Sequence, residues 1–269
     1  MKILNVIVFY NNKDEVEQYL EEVNNISDNN IDVAIIINSD CEKNIEKLKI
    51  RVLEKYNFNI SFFDYDENVG YLNALFRTIT QISLDKYIYI ILSNTDIRYK
   101  SKDFFKVLLR KRYDNIIGCI APNVYATQSN SYSNPHYISR IPKRKLLWLK
   151  QIFTFPIIAK IYLMLAELKA HIIKHNELKS QFVYSPHGCY MIFTNDFIKK
   201  ICGYEYGVKL YSEESCIGEL LMKNMKRCYY DDELKIEHYE STVTGKMNQK
   251  NRFHEWKKSI EYILDTFYN

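Results

Sequence analysis

Apolar and polar residues alternate in blocks along the N-terminal part of the chain. Ile3–Phe9, Ile31–Ile37, Phe58–Phe63 and Tyr87–Leu92 are short runs dense in Ile, Val, Phe and Tyr. Runs of that length and composition suit strands buried on both faces. Between them, apolar residues recur at helical spacing: Val16, Tyr19, Leu20 and Val23, then Ile45, Leu48, Val52 and Tyr56, then Leu72, Leu75, Ile79 and Ile82. Asn12 is placed to cap the first helix, with Asp14 and Glu15 in its first turn, where the helix dipole favours negative charge. The order is βαβαβαβ, which predicts a parallel sheet with right-handed crossovers.

Three of these strands run out into Asn- or Asp-bearing loops: Asn11 and Asn12, Asn38 and Asp40, Asn94 and Asp96. In open α/β sheets, ligands bind beyond the carboxyl ends of the strands. Such polar clustering suits a nucleotide-type ligand, and it equally suits ordinary βα turns. The sharpest break is at Ser93–Asp96, after the fourth run. A carboxylate there can hold a divalent metal, and the metal a diphosphate; alternatively Asp96 caps a turn.

The second half loses the alternation. Ser101–Arg110 reads as a helix, Ile116–Ile120 as a strand stopped by Pro122, and Ala126–Asn134 as a mobile polar loop. Arg140–Lys150 is basic with Leu and Trp interleaved, and Ile152–Leu168 is mostly apolar. Two readings compete there: a segment lying on an anionic membrane surface, or a core helix with a basic solvated flank. Gln181–Tyr184 and Cys189–Phe193 read as strand pieces around Ser185–Gly188. A helix within Tyr211–Met225 begins near Glu213 and Glu214. Arg227–Tyr230 and Leu234–Glu237 read as two short strands, and Phe253–Phe267 as an amphipathic helix.

Composition adds limits rather than direction. The 269 residues carry a net charge of +4, too mild to argue for nucleic acid. Six cysteines without CxxC spacing suggest buried small apolar residues in a reducing compartment. No signal peptide pattern opens the sequence, and no run reaches the roughly 18 apolar residues of a membrane span. The expected location is cytoplasmic, with the inner face of the cell membrane as a possible station. No repeat or linker divides the chain.

Taken in order, YNN after the first strand, NVG before a helix, SNTD after a hydrophobic strand, SPHGCYMIF, CGYEYGVKLYSEES and IEHYES resemble the motifs of inverting GT-A-fold glycosyltransferases of family two, particularly bacterial rhamnosyltransferase-like members. The resemblance covers roughly residues 1–245. It implies an α/β fold: a GT-A (Rossmann-like), mostly parallel central sheet flanked by helices, with a C-terminal helical extension. Residues 1–245 would form the transferase domain. Within it, 126–180 would be a helical, basic insertion facing acceptor or membrane, and 246–269 would add an amphipathic helix.

By that resemblance, Asp96 is a metal ligand and Asn94 a ribose or metal contact. His238 completes the metal site, for Mn²⁺ or Mg²⁺. Glu214 is the catalytic base, and Glu213 orients the acceptor or a neighbouring segment. Asn11, Asp40 and Asn68 lie near base and ribose, Gly70 and Gly188 allow close approach of the ligand, and His187 adds a hydrogen bond near the donor sugar. The implied partners are a nucleotide-sugar donor and a glycan or lipid-linked acceptor, in surface-polysaccharide synthesis, with possible membrane contact through 140–168. The SNTD stretch is less acidic than the family pattern, which leaves a catalytically inactive binding protein as the alternative. A nucleotidyltransferase is the weaker one, because no glycine-rich basic loop follows the first strand.

Overall fold

The computed structural model describes residues 2–9, 13–26, 30–38, 45–65, 67–172, 176–240 and 249–268. The elements follow in chain order. The first part holds β1 (Lys2–Phe9), α1 (Lys13–Ile26), β2 (Ile31–Ile37), α2 (Ile45–Lys55), β3 (Ile60–Asp64), α3 (Tyr71–Ile79) and β4 (Tyr87–Ser93). Then come β5 (Ile97–Tyr99), α4 (Phe104–Arg110), β6 (Ile117–Ala126), β7 (Ser131–Tyr132), α5 (Lys143–Thr154) and α6 (Pro156–Ile172). The last are β8 (Gln181–Val183), β9 (Tyr190–Thr194), α7 (Asn195–Lys200), α8 (Glu213–Lys223), β10 (Arg227–His238) and α9 (Gln249–Phe267).

All the strands join one sheet, ordered β3-β2-β1-β4-β9-β6-β10-β5, with β7 on β6 and β8 on β10. β1 to β4 pair in parallel, as the alternating pattern requires. The strand order reverses between β1 and β4, and in open α/β sheets such a reversal is where a ligand binds, beyond the carboxyl ends of the strands. Strand alternation splits the apolar residues between two cores. In β4, Ile90 and Leu92 face one side with α3, α8 and α9, while Tyr89 and Ile91 face the other with α1, α2 and α4.

β9 is antiparallel to both neighbours, β4 and β6. Its first residue, Tyr190, lies opposite Ser93, the last of β4. The chain therefore enters β9 at the carboxyl rim of β4, which delivers Ser185–Cys189 to that rim. β10 runs parallel to β6 and also ends there, at His238.

Three sequence expectations change. β6 continues through Pro122 to Ala126, because the register with β10 shifts between Asp231 and Lys235, opposite Pro122 and Asn123. A bulge is where a strand tolerates a residue that cannot donate. The same bulge makes Arg227–His238 one strand instead of two; Asp231 is buried in it, taking hydrogen bonds from Lys111 (2.7 and 2.6 Å) and Tyr113 (2.6 Å). The stretch expected to be a mobile loop is a tight hairpin, in which Tyr125 and Ala126 pair with Tyr132 and Ser131 and Asn130 turns the chain at φ 50°.

At the opposite end of the sheet, Asp32 is buried beneath Lys2 (2.7 Å), Lys86 (2.9 Å), Tyr87 (2.8 Å) and Asn59 (3.1 Å). Burial would raise its pKa, but these donors outweigh burial and lower it to about 2. A depressed carboxylate pKa stabilises the fold above the unfolded value near 4 and loses that contribution as pH falls towards 2. Asp32→Asn should cost about 2 kcal/mol at neutral pH, less than for a fully enclosed pair because both lysines reach solvent. Urea melts of the two proteins should converge as pH drops through that window. A constant gap would assign the cost to packing.

Candidate active site

The carboxyl rim gathers side chains from four separated stretches. The first is the β4–β5 connection. Asn94 N–H donates to the Cys189 carbonyl at 2.9 Å, and Thr95 Oγ1 donates to Glu15 on α1 at 3.1 Å. The chain then turns into β5, whose Ile97 lies opposite His238. That pairing sets the Asp96 carboxylate 3.3 Å from His238 Nε2, with both residues buried. Tyr239 N–H holds the Asp96 carbonyl at 2.9 Å.

The second stretch is the loop into β9. His187 N–H donates to Asn134 Oδ1 (3.0 Å), and His187 Nδ1 accepts from Cys189 N–H (3.2 Å). The imidazoles of His187 and His238 are 5.8 Å apart. One ligand atom each from His187, Cys189 and His238 lies within 4.8 Å of the others.

The third is the start of α8. Tyr211 and Ser212 both have positive φ, 69° and 62°, a conformation that costs energy in residues with a Cβ. The turn is held by Tyr211 stacking on Trp256, 4.5 Å between centroids, and by Ser212 Oγ against Ser259 Oγ at 3.0 Å. It aims Glu214 at the β9 loop, where Gly188 N–H donates to Glu214 Oε1 at 3.2 Å. A Cβ on Gly188 would sit 2.8 Å from that oxygen, so glycine here admits Glu214 itself. Glu213 turns back instead, accepting from Tyr211 N–H at 3.0 Å.

The fourth is the β3–α3 loop. Asn68 Oδ1 accepts from Gly70 N–H (2.9 Å) and from Asn38 Nδ2 (3.1 Å), while Asn38 Oδ1 accepts from Val69 N–H (2.8 Å). This ties the loop to the end of β2. Gly70 has φ 91°, and the space its Cβ would need is filled by the Lys209 backbone. Chain packing thus accounts for this glycine, where a ligand was expected to approach. Asn11 and Asp40 lie outside the described residues.

Electrostatics separate the two glutamates. Burial and the neighbouring Glu214 raise Glu213 to about 8. Burial acts on Glu214 too, but His136, His187 and the Gly188 N–H outweigh it and lower its pKa. Burial and mutual repulsion thus favour the proton on Glu213 and the charge on Glu214. His238 is raised to about 10, because Asp96 and Cys189 overcome the effect of burial. The Cys189 thiol is lowered to about 7, with His187 and His238 overcoming burial.

Asp96, Glu214, His187 and His238, which sequence reading singled out, thus meet along one rim. Three neighbours escaped it. Cys189 adjoins Gly188 in SPHGCYMIF and reads as a core residue. Tyr71 follows Gly70; its buried hydroxyl has no hydrogen-bond partner, and Asp96 and Cys189 raise its pKa, after burial. His136 packs 5.7 Å from His187 from a loop with no helical or strand pattern to place it.

The donor set fits a divalent ion. Asp96 offers oxygen, and His238 offers nitrogen, with its other ring nitrogen buried and lacking a hydrogen-bond partner. Cys189 and His187 add softer donors than Mg²⁺ prefers. A separate cleft of about 780 Å³ lies far from these groups, at the Asp32 end of the sheet.

No protein-family profile and no curated protein matches the sequence. Solved structures do match in shape. A mannosyltransferase, PcManGT from Pyrobaculum calidifontis in complex with GDP-Man and Mn²⁺, superposes with a TM-score of 0.59 over 90% of this chain and 58% of its own, at 9% identity. GalNAc-T7 with UDP, GalNAc and Mn²⁺ gives 0.58 over 89% of this chain and 44% of its own, at 12% identity. A mycobacterial protein gives 0.53 over 99% and 74%, at 10% identity. The chain therefore spans about half the length of the first two, and what it shares with them is the fold: a mixed, mostly parallel sheet between helices, with a C-terminal helix, of the GT-A glycosyltransferase type.

Proposed function

We propose that this chain is an inverting glycosyltransferase of the family-two kind, moving one sugar from a nucleotide-diphosphate sugar to a hydroxyl of a glycan or lipid-linked glycan. Its station would be the cytoplasmic side of the cell membrane, in surface-polysaccharide synthesis. The observation that carries this reading is the meeting of Asp96 and His238, 3.3 Å apart, with Glu214 across the His187–Cys189 loop, at the carboxyl rim of a GT-A-type sheet.

Each part has a chemical role. The crevice between β1 and β4 receives the nucleotide, with Asn68 and Asn94 at its edge. Asp96 and His238 would hold a divalent ion, Mn²⁺ before Mg²⁺ given Cys189, which when bound would supply positive charge for the leaving diphosphate. The ionised Glu214 takes the proton of the acceptor hydroxyl as that oxygen bonds to the anomeric carbon. The bond from that carbon to the diphosphate oxygen breaks, its electron pair stays with the phosphate, and the configuration inverts. Neutral Glu213 keeps a second negative charge away from the base and fixes the Tyr211 turn. His187 and Gly188 border the sugar.

The test is turnover of a panel of nucleotide sugars with Mn²⁺ present, the anomeric configuration of product followed by NMR. Release of nucleoside diphosphate with one sugar, abolished by chelation, is the expected result. Donor binding without turnover, equal in wild type and Glu214→Gln, would favour a binding protein.

A further inference from the structure

α5 and α6 form a helical hairpin bent by 118° around Phe155. α5 packs on α9, with Leu146, Ile152 and Phe153 inward and Phe153 stacked 5.4 Å from Trp256. Ala159 is fully buried on the inner side of α6, with Tyr162 and Leu163 beside it half-buried. At about 100° per residue, Ile157, Ile161, Met164, Leu165 and Leu168 fall on the opposite side. Each of these is half exposed or more, up to 77% for Ile157. Trp148 on α5 meets Tyr162 at 5.6 Å and, with Leu147 and Phe155, extends the bare surface around the bend. A continuous apolar face of this size on a water-exposed helix marks a docking surface.

Charge identifies the occupant. Lys160 and Lys169 are exposed at opposite edges of the α6 stripe, and Arg144 and Lys145 are exposed at the start of α5. None of the four forms an ion pair among the described residues. Only Glu167 is acidic in α6 outside the core. A second copy of the chain would bring these cations against their own kind across a twofold axis. Phospholipid headgroups would neutralise them. Trp148 has the amphipathic ring that settles at a headgroup boundary. No single helix among the described residues is long and apolar enough to cross a bilayer.

We propose that the α5–α6 hairpin docks on an anionic bilayer surface, with α6 lying in the headgroup plane and its Ile157–Leu168 face in the acyl boundary. The docked hairpin is tied to the active rim. Asn134 holds His187, Tyr137 bridges to Ser185, and Arg140 makes a two-pronged pair with Glu219 of α8 at 2.7 and 2.9 Å. α5 begins three residues later. Docking would hold the site at a fixed height over the membrane, where a lipid-linked hydroxyl is presented. The binding itself does not depend on the transferase reading.

Co-sedimentation of the full chain with phosphatidylcholine vesicles, with and without phosphatidylglycerol, tests this. Binding should require phosphatidylglycerol and weaken with salt. Ile157→Glu/Ile161→Glu should weaken it at least about tenfold, and Arg144→Glu/Lys145→Glu should weaken it as strongly. Met225→Glu, at an 86% exposed site in the turn between α8 and β10, should bind as wild type. All five altered positions are exposed, so thermal melts should match wild type. Absence of binding to phosphatidylglycerol vesicles overturns the proposal. So does unchanged binding of either double variant, or a dimer that separates when Ile157 and Ile161 become Glu while vesicle binding stays absent.

Discussion

Glu214→Gln should lower sugar transfer about 10³-fold while leaving nucleotide binding nearly unchanged, the usual cost of losing a positioned general base. Gln is close in shape and keeps a carbonyl oxygen for the Gly188 N–H, so the α8 turn stays in place. What disappears is the ability to take a proton. The adjacent residue should behave differently. Glu213, raised to about 8, is already protonated at neutral pH, so Glu213→Gln mimics its working state. Its loss of rate should be far smaller. The pH profile discriminates between the two. Glu214, lowered by its imidazole and Gly188 neighbours, keeps activity into mildly acidic solution. Above about 8, ionisation of Glu213 adds a second charge beside the base, and Glu213→Gln should remove the resulting alkaline change. A profile identical in wild type and Glu213→Gln would mean that Glu213 does not titrate beside the base.

Asp96→Ala and His238→Ala should each weaken Mn²⁺ binding by at least about 100-fold, more than the 10- to 100-fold typical of losing a residue that only supports a ligand. Isothermal titration with Mn²⁺ alone reads this without any substrate. Asp96 comes from the β4–β5 connection and His238 from the end of β10, brought together by the pairing of Ile97 with His238, so either loss would leave the ion half-held. Cys189→Ser should affect Mn²⁺ little and Zn²⁺ more, since a thiolate favours the softer ion. His238, raised to about 10, is an imidazolium in the absence of metal, and binding must displace its proton. Affinity should therefore increase as pH rises through neutrality, with protons released. Mn²⁺ binding indifferent to pH and to Asp96 would place the ion elsewhere.

The N-terminal half of this architecture was legible because its signals are local. β4 is an unbroken apolar run up to Ser93, β1 and β2 are apolar runs interrupted inside only by Asn5 and Asp32, and the helices between them keep one apolar face, so βαβαβαβ follows from spacing alone. The antiparallel insertion of β9 between β4 and β6 was not legible, since Tyr190–Phe193 looks the same whichever way it runs. The strand pieces read from sequence stop at Ile120 and Tyr230, although Pro122 and Asp231, just beyond them, face each other across one bulge that accommodates both. The site divides in the same way. Asp96, His238 and Glu214 stood out through the resemblance carried by the ordered motifs; a carboxylate or imidazole at a strand or helix end, taken alone, reads as a cap. Cys189, Tyr71 and His136 were missed because their chemistry depends on neighbours distant in sequence. Gly70 carried a real signal, a left-handed backbone, but its cause is the crossing Lys209 segment.

The most direct measurement is anomalous diffraction at the manganese edge from crystals grown with Mn²⁺ and a nucleoside diphosphate. The expected result is one manganese bonded to Asp96 and His238, with the diphosphate on the ion and Glu214 facing the sugar position beside it. Manganese away from both residues, or the nucleotide in the cleft beside Asp32 and Lys86, would contradict it.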